Sequence, residues 1–156
     1  MRIRTTFLIF SFCLAAVPGR GAAQHVSQAG WGVPPWVDSA LTAAGVSGYA
    51  STSNLNPQWG WGDFDGDGFY DIAIDVVATG SRARGILIVH RIDRSVHIVG
   101  AGQPLGSGGA RNELGSAGWA IERLAHQRDV LRVDGQMGTL HGWVAWNGRE
   151  YVWVQD

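Results

Sequence analysis

The chain has 156 residues, of which twelve are arginine and none is lysine, with thirteen acidic residues and a formal net charge of −1. The absence of lysine excludes Schiff-base chemistry, a Walker A phosphate loop and a Ser-Lys dyad. The sequence contains no basic arm or patch, so we expect no nucleic-acid partner.

The first residues have the layout of an export signal. Arg2 and Arg4 precede an apolar run, Phe7–Val17, that is too short to span a bilayer, and small residues before position 24 supply a cleavage site. We therefore predict a signal peptide at 1–23 and a periplasmic or secreted product without a membrane span. Cleavage would remove Cys13, the single cysteine, so the mature chain would lack disulfides, thiol nucleophiles and cysteine-ligated zinc.

A single domain is predicted after the signal. Residues 24–33 are polar and contain glycine, which is typical of a flexible lead, and the length of 34–156 suits one domain. Pro34 and Gly45 bracket a short helix, because proline is favoured in the first turn and glycine after the last. The apolar side chains that share one face of this helix are Trp36, Val37, Ala40, Leu41 and Ala44. That face predicts packing against a sheet.

An acidic loop between Gly62 and Ile72 is the strongest functional signal. Its loop positions one, three, five and nine are Asp63, Asp65, Asp67 and Asp71. Ca²⁺ takes about six to eight oxygen ligands, and alternate aspartates on a tight loop converge on one point, where the Phe69 carbonyl can add another. Gly68 permits the sharp turn, and without a cation the carboxylates would repel one another. The loop therefore predicts a Ca²⁺ site.

The residues after the loop argue against an EF-hand. An EF-hand carries a bidentate Glu at position twelve, but that position is Ile74 here. The run Ile72–Val77 alternates and is rich in β-branched residues, which predicts a strand. The sequence thus describes a calcium loop that leads into a β-strand.

The motif Gly-Asp-Phe-Asp-Gly-Asp-Gly-x-x-Asp before a hydrophobic strand resembles the FG-GAP/VCBS calcium motif of propeller blades and secreted bacterial proteins. Propellers repeat the motif, whereas it occurs once here. The order of the later segments Gly85–His90, Val99–Gly102 and Trp146–Tyr151 is similar to that of small exported proteins with one such motif. The resemblance implies calcium binding at Asp63, Asp65, Asp67 and Asp71, and it implies no enzymatic activity.

The remaining pattern is that of a β-rich domain. Strands are predicted at 71–78, 85–92, 95–100, 129–134, 139–146 and 150–155, with another near Trp119. Asn147-Gly148 predicts a type I′ hairpin turn. The glycine-rich segment 100–118 fits no phosphate-binding motif and predicts a long mobile or partner-sensing loop. We expect a mainly β fold, either an antiparallel sheet or a small β-sandwich, with one N-terminal helix and the calcium loop.

Three further features have competing interpretations. The tryptophans, above all Trp59 and Trp61, could form a platform for cell-wall glycans or could pack in the core. His90 and His97 would face each other across a two-residue hairpin at Asp93-Arg94, as a structural pair or as part of a transition-metal site. Asp71 and Asp75 share a strand face, and paired carboxylates can hydrolyse glycosides, but Asp71 is already required by the cation.

These patterns favour an exported, non-catalytic calcium-binding domain in which Ca²⁺ stabilises the fold and an envelope protein is the partner. A glycan-binding module that uses exposed tryptophans is the alternative, and a carboxylate-dependent hydrolase is a second alternative. Exposure of the tryptophan rings separates the first two.

Overall fold

The computed structural model describes residues 33–52, 58–124, 128–135 and 140–156. The predicted signal peptide at 1–23 lies outside the described residues, and so does the predicted lead at 24–33 except for its last residue. In the described ranges the helix and strands are α1 Pro35–Ala43, β1 Tyr49–Ser51, β2 Trp59–Gly62, β3 Asp71–Ala78, β4 Arg84–Val89, β5 Val96–Gly100, β6 Gly118–Glu122, β7 Val130–Asp134, β8 His141–Trp146 and β9 Tyr151–Gln155.

The strands form two antiparallel sheets, which confirms the predicted mainly β fold with one short helix. The first sheet has the order β1-β3-β4-β5, and β2 pairs with the start of β3 on the edge where β1 pairs with its end. The second sheet has the order β6-β7-β8-β9. The sheets of the described chain do not close into a barrel.

The molecule has three layers, and β3 lies in the middle one. Ile72, Ile74 and Val76 of β3 pack with Val37 and Leu41 of α1 on one face of the first sheet. Because side chains alternate along a strand, the residues between them face the second sheet, and a separate apolar core fills that space. The predicted contact between the helix and a sheet is therefore confirmed.

Strand β2 was not predicted from the sequence. It consists of Trp59, Gly60, Trp61 and Gly62, and glycine at every second position is unfavourable in a strand. The packing explains Gly60, since a Cβ at this residue would come within 2.6 Å of Ile121 Cδ1 in the second sheet. The strand exists because it is held between β3 and β6.

The two predicted hairpins form, but neither has the predicted turn. Ile88 pairs with His97, so the register differs by two residues from the prediction that placed His90 opposite His97. In the second hairpin Trp146 pairs with Tyr151, and Asn147 does not have the positive φ that a type I′ turn requires. The Asn147 carboxamide oxygen instead accepts hydrogen bonds from the two backbone amides at 149 and 150, at 2.9 and 3.0 Å.

The glycine-rich segment between β5 and β6 is part of the packed structure. Leu105, Leu114 and Ala117 are buried in the core between the sheets. Ser107 exchanges backbone hydrogen bonds with β9, donating to the Tyr151 carbonyl and accepting from the Trp153 amide. The segment therefore contributes to the core between the sheets and is hydrogen-bonded to β9.

Candidate metal centre

The acidic loop connects β2 to β3. Gly62 and Asp71, the residues on either side of it, form the last pair of the antiparallel ladder, so the loop begins and ends at one place on the sheet edge. Gly66 and Gly68 have φ angles of +80° and +88°, a conformation that side-chain-bearing residues rarely adopt. The sharp turn predicted at Gly68 is thus present.

Backbone amides of the loop hold its carboxylates in place. Asp63 accepts from the Gly66 amide at 2.8 Å and from the Gly68 amide at 3.1 Å. Asp65 accepts from the Asp67 amide at 3.0 Å, and Asp67 accepts from the Phe69 amide at 2.8 Å. Each carboxylate is therefore oriented before any cation arrives, which lowers the entropy cost of binding.

The structure brings together three of the predicted ligands directly. One carboxylate oxygen each of Asp63, Asp65 and Asp67 can be chosen so that all three lie within 4.8 Å of one another. Asp63 and Asp65 are half-buried and Asp67 is exposed, so the cluster is open to solvent on one side. Such a set of oxygens could hold a metal ion. The ligand role of the Phe69 carbonyl stays a prediction.

Asp71, the fourth predicted carboxylate, lies deeper than the others. Its side chain is buried, and it forms a second group with Asp65 and His90 whose ligand atoms also lie within 4.8 Å of one another. Asp71 accepts from the Phe64 amide at 3.0 Å and from the Arg91 amide at 2.8 Å. Asp65 thus belongs to both groups and connects the exposed cluster to the buried one.

Among the described residues, Asp71 differs from the other two buried aspartates because it has no arginine partner. Asp75 is paired with Arg84, and Asp129 is paired with Arg123. Among the described residues no arginine side chain is paired with Asp71, and its negative neighbour is Asp65. Burial raises the pKa of Asp71 to about 7, the charge of Asp65 adds to this, and the two amide hydrogen bonds partly offset it. Its surroundings therefore favour a bound proton or a nearby cation over the bare charge.

His90 is the residue that sequence reasoning did not connect to the acidic loop. Its ring is 1% exposed, and its Nδ1 atom lies 3.6 Å from Asp65 Oδ2. Its Nε2 atom is 2.7 Å from the Tyr151 hydroxyl, and Nδ1 is 3.1 Å from the Ser95 hydroxyl. Burial lowers the pKa of His90, which favours the neutral imidazole that can act as a ligand.

The His90 and His97 rings do meet, although their strand register is not the predicted one. Their centroids are 4.7 Å apart, and Trp146 and Tyr151 complete a cluster of four rings. His97 Nε2 lies 3.0 Å from the Ser95 hydroxyl. Burial lowers the pKa of His97 to about 4, and His90 adds to this.

Asp75, considered above as a partner of Asp71 in hydrolysis, is hydrogen-bonded to three other side chains. It accepts from Arg84 at 2.8 Å, from the Trp119 indole at 2.9 Å and from the Thr52 hydroxyl at 2.6 Å. These partners lie in both sheets and in the segment after β1. The Asp75 carboxylate joins layers of the sandwich.

The acidic loop is also fixed to the second sheet. The Asp63 amide donates to Asp129 Oδ2 at 3.0 Å, and the Asp129 amide donates to the Asp63 carbonyl at 2.8 Å. The neighbouring Arg128 reaches over Gly66 and donates to the Trp146 carbonyl at 2.7 Å. A cation in the loop would therefore stabilise a junction between the two sheets.

The tryptophans beside the loop are divided between core and surface. Trp59 and Trp61 lie on one face of β2, as their spacing predicts, with ring centroids 5.4 Å apart. Trp59 packs against the core below α1, whereas Trp61 is 36% exposed and lies 6.5 Å from the Trp36 ring. Arg94 covers the Trp36 ring at 4.6 Å. Of the Trp59 and Trp61 rings, only Trp61 is exposed enough to offer a stacking surface.

Comparisons of the chain with models of protein families, with curated proteins and with solved structures found no match. Among the described residues, no helix is both long and apolar enough to cross a bilayer. The chemistry of the acidic loop and of the groups around it is what indicates a function for this chain.

Proposed function

We propose that this chain is an exported, non-catalytic calcium-binding β-domain of the FG-GAP/VCBS type, in which Ca²⁺ stabilises the fold. The observation that carries the proposal is the group of three carboxylates within 4.8 Å, next to Asp71, a buried carboxylate that has no arginine partner in the described part of the chain. A hard divalent cation could bind the three carboxylates and also neutralise the buried one, because it takes many oxygen ligands and neutralises several charges at once. Export is inferred from the N-terminal segment, and an envelope protein is the proposed partner.

Calcium is favoured over magnesium by the loop itself. The ligands are carboxylates on a winding loop, at different depths, with the Phe69 carbonyl as the proposed backbone ligand. Ca²⁺ accepts irregular shells of about six to eight oxygens, whereas Mg²⁺ requires a compact octahedron and keeps its own waters. We therefore expect Mg²⁺ to compete poorly.

The glycan-binding alternative is supported by the exposure of Trp61 and the neighbouring Trp36 ring. The packing of Trp59 against the core limits that surface. The calcium domain is therefore the function that the contacts support best.

Asp67→Asn should lower the calcium affinity at least about tenfold, because a lost interaction of roughly 1.4 kcal/mol corresponds to that factor. Asp67 is exposed, so the substitution removes a charge without opening a cavity. Isothermal titration calorimetry of the mature domain measures the effect. Asp134→Asn, which removes an exposed carboxylate of β7, is the matched control and should bind like the wild type. Equal affinities of all three proteins would contradict the proposal.

Calcium affinity should also fall as the pH is lowered below about 7. In the metal-free protein the pKa of Asp71 is about 7, so at lower pH this carboxyl is protonated and a cation must displace the proton. The affinity should then decrease by up to about tenfold per pH unit. Calorimetry in buffers of different ionisation enthalpy should detect release of close to one proton at pH 6 and almost none at pH 8. Asp71→Asn should abolish this proton release.

A further inference from the structure

We propose that Asp65, Asp71 and His90 form a second cation site, selective for a first-row transition metal such as Zn²⁺, which shares Asp65 and Asp71 with the calcium loop. This goes beyond the proposed calcium function, which uses oxygen ligands alone. It depends on a nitrogen ligand from His90, the residue that follows β4, and on the two buried ligands Asp71 and His90.

The spacing of the ligand atoms fits a metal better than a direct hydrogen bond. His90 Nδ1 and Asp65 Oδ2 are 3.6 Å apart, which is beyond a normal hydrogen bond. Two ligands of a tetrahedral Zn²⁺ ion, each at about 2.1 Å from the metal, lie about 3.4 Å from each other. Asp71 supplies the third atom within 4.8 Å. A small closure of the loop would bring all three ligands to bonding distance.

The surroundings of His90 orient it as a ligand. The tautomer with hydrogen on Nε2 donates to the Tyr151 hydroxyl at 2.7 Å and leaves the Nδ1 lone pair on the side of Asp65. Metal-binding histidines commonly donate their other N–H in this way, which fixes the tautomer and the ring. The Ser95 hydroxyl lies 3.1 Å from His90 Nδ1 and 3.0 Å from His97 Nε2. It would therefore keep His97 as a partner if a metal ion bound Nδ1.

The two sites differ in the type of ligand atom that they offer. Imidazole suits Zn²⁺ and similar ions, whereas Ca²⁺ takes oxygen ligands. Asp71 and His90 are buried, and Asp71 lacks an arginine partner among the described residues, so a cation here would compensate a charge that the fold leaves unpaired. Asp63 and Asp67 belong to the calcium site alone, and His90 belongs to the second site alone.

Zn²⁺ titration of the purified protein, and Co²⁺ as a spectroscopic substitute, test this site. His90→Gln should weaken Zn²⁺ binding at least tenfold and leave Ca²⁺ affinity within about twofold, whereas Asp67→Asn should have the opposite pattern. Asp65→Asn should weaken both. His97→Gln, in the same ring cluster but outside the ligand set, is the matched control. Tyr151→Phe keeps the ring and removes the Nε2 partner, and should weaken Zn²⁺ by about 10–100-fold.

If His90→Gln does not fold, nitrogen NMR of the wild-type protein tests the second site directly. Zn²⁺ should shift the His90 Nδ1 resonance and leave Nε2 protonated. Absence of saturable Zn²⁺ binding, or Zn²⁺ binding that His90→Gln leaves unchanged, would overturn the second site. Loss of Ca²⁺ binding in Asp67→Asn reports only on the calcium loop, so failure of one site is distinguishable from failure of the other.

Discussion

Calcium at 100 times its Kd should raise the free energy of unfolding by about 2.7 kcal/mol, if the ion binds the folded state alone. For a domain of this size that corresponds to a melting temperature higher by roughly 5–20 °C. The physical reason is the position of the loop, which begins and ends at the first sheet and is hydrogen-bonded to Asp129 at the start of the second. The ion would also remove the repulsion between Asp65 and Asp71.

Thermal unfolding followed by circular dichroism, in EDTA and in calcium, measures this shift. The Asp67→Asn protein is the control, since its curve should respond much less to calcium while its melting temperature in EDTA stays close to that of the wild type. Identical wild-type curves in the two conditions would refute a stabilising role, even if calorimetry detects binding.

Asp75→Ala should destabilise the domain by about 3–5 kcal/mol, the range for removing one partner of a buried ion pair. Asp75 is fully buried, and its loss would leave Arg84, the Trp119 indole and the Thr52 hydroxyl without their acceptor. Arg84 also donates to two backbone carbonyls of the segment before β6, so the damage should extend to the contact between the sheets.

Urea unfolding of the calcium-loaded protein measures this loss of stability. Asp134→Ala removes a carboxylate that is paired with Arg132 at the surface, and it should change stability little, because exposed ion pairs contribute little. An Asp75→Ala protein as stable as the wild type would show that this hydrogen-bond network contributes little to the stability of the fold.

Local sequence patterns predicted those features that depend on neighbours along the chain. The alternating, β-branched run of β3 predicted a strand, and the structure has a strand there, Asp71–Ala78. The loop before it was readable because alternate aspartates and Gly68 determine a local geometry, and three of its carboxylates meet as expected. Proline and glycine likewise marked the two ends of α1.

Features that depend on pairing between distant segments could not be predicted from local patterns. The His90 hairpin has a longer turn than predicted, with Arg94 in the left-handed region and the Asp93 carboxylate accepting from the Ser95 amide at 2.8 Å. A single sequence gives little information on such a turn, because several turn lengths satisfy the same alternation. Strand β2 was missed because its glycines disfavour a strand locally and only its neighbours hold it.

The sequence by itself determined the mainly β fold, the helix and the acidic loop, because each follows from side-chain spacing over a few residues. Only the tertiary structure decided which groups meet that loop. Pairing of Ile72 with Val89 carries His90 to Asp71, and the second sheet brings Trp119 to Asp75, which lies 44 positions earlier. Such encounters depend on register and layer packing, where a shift of two residues keeps every hydrophobic side chain on its face and still exchanges the polar neighbours.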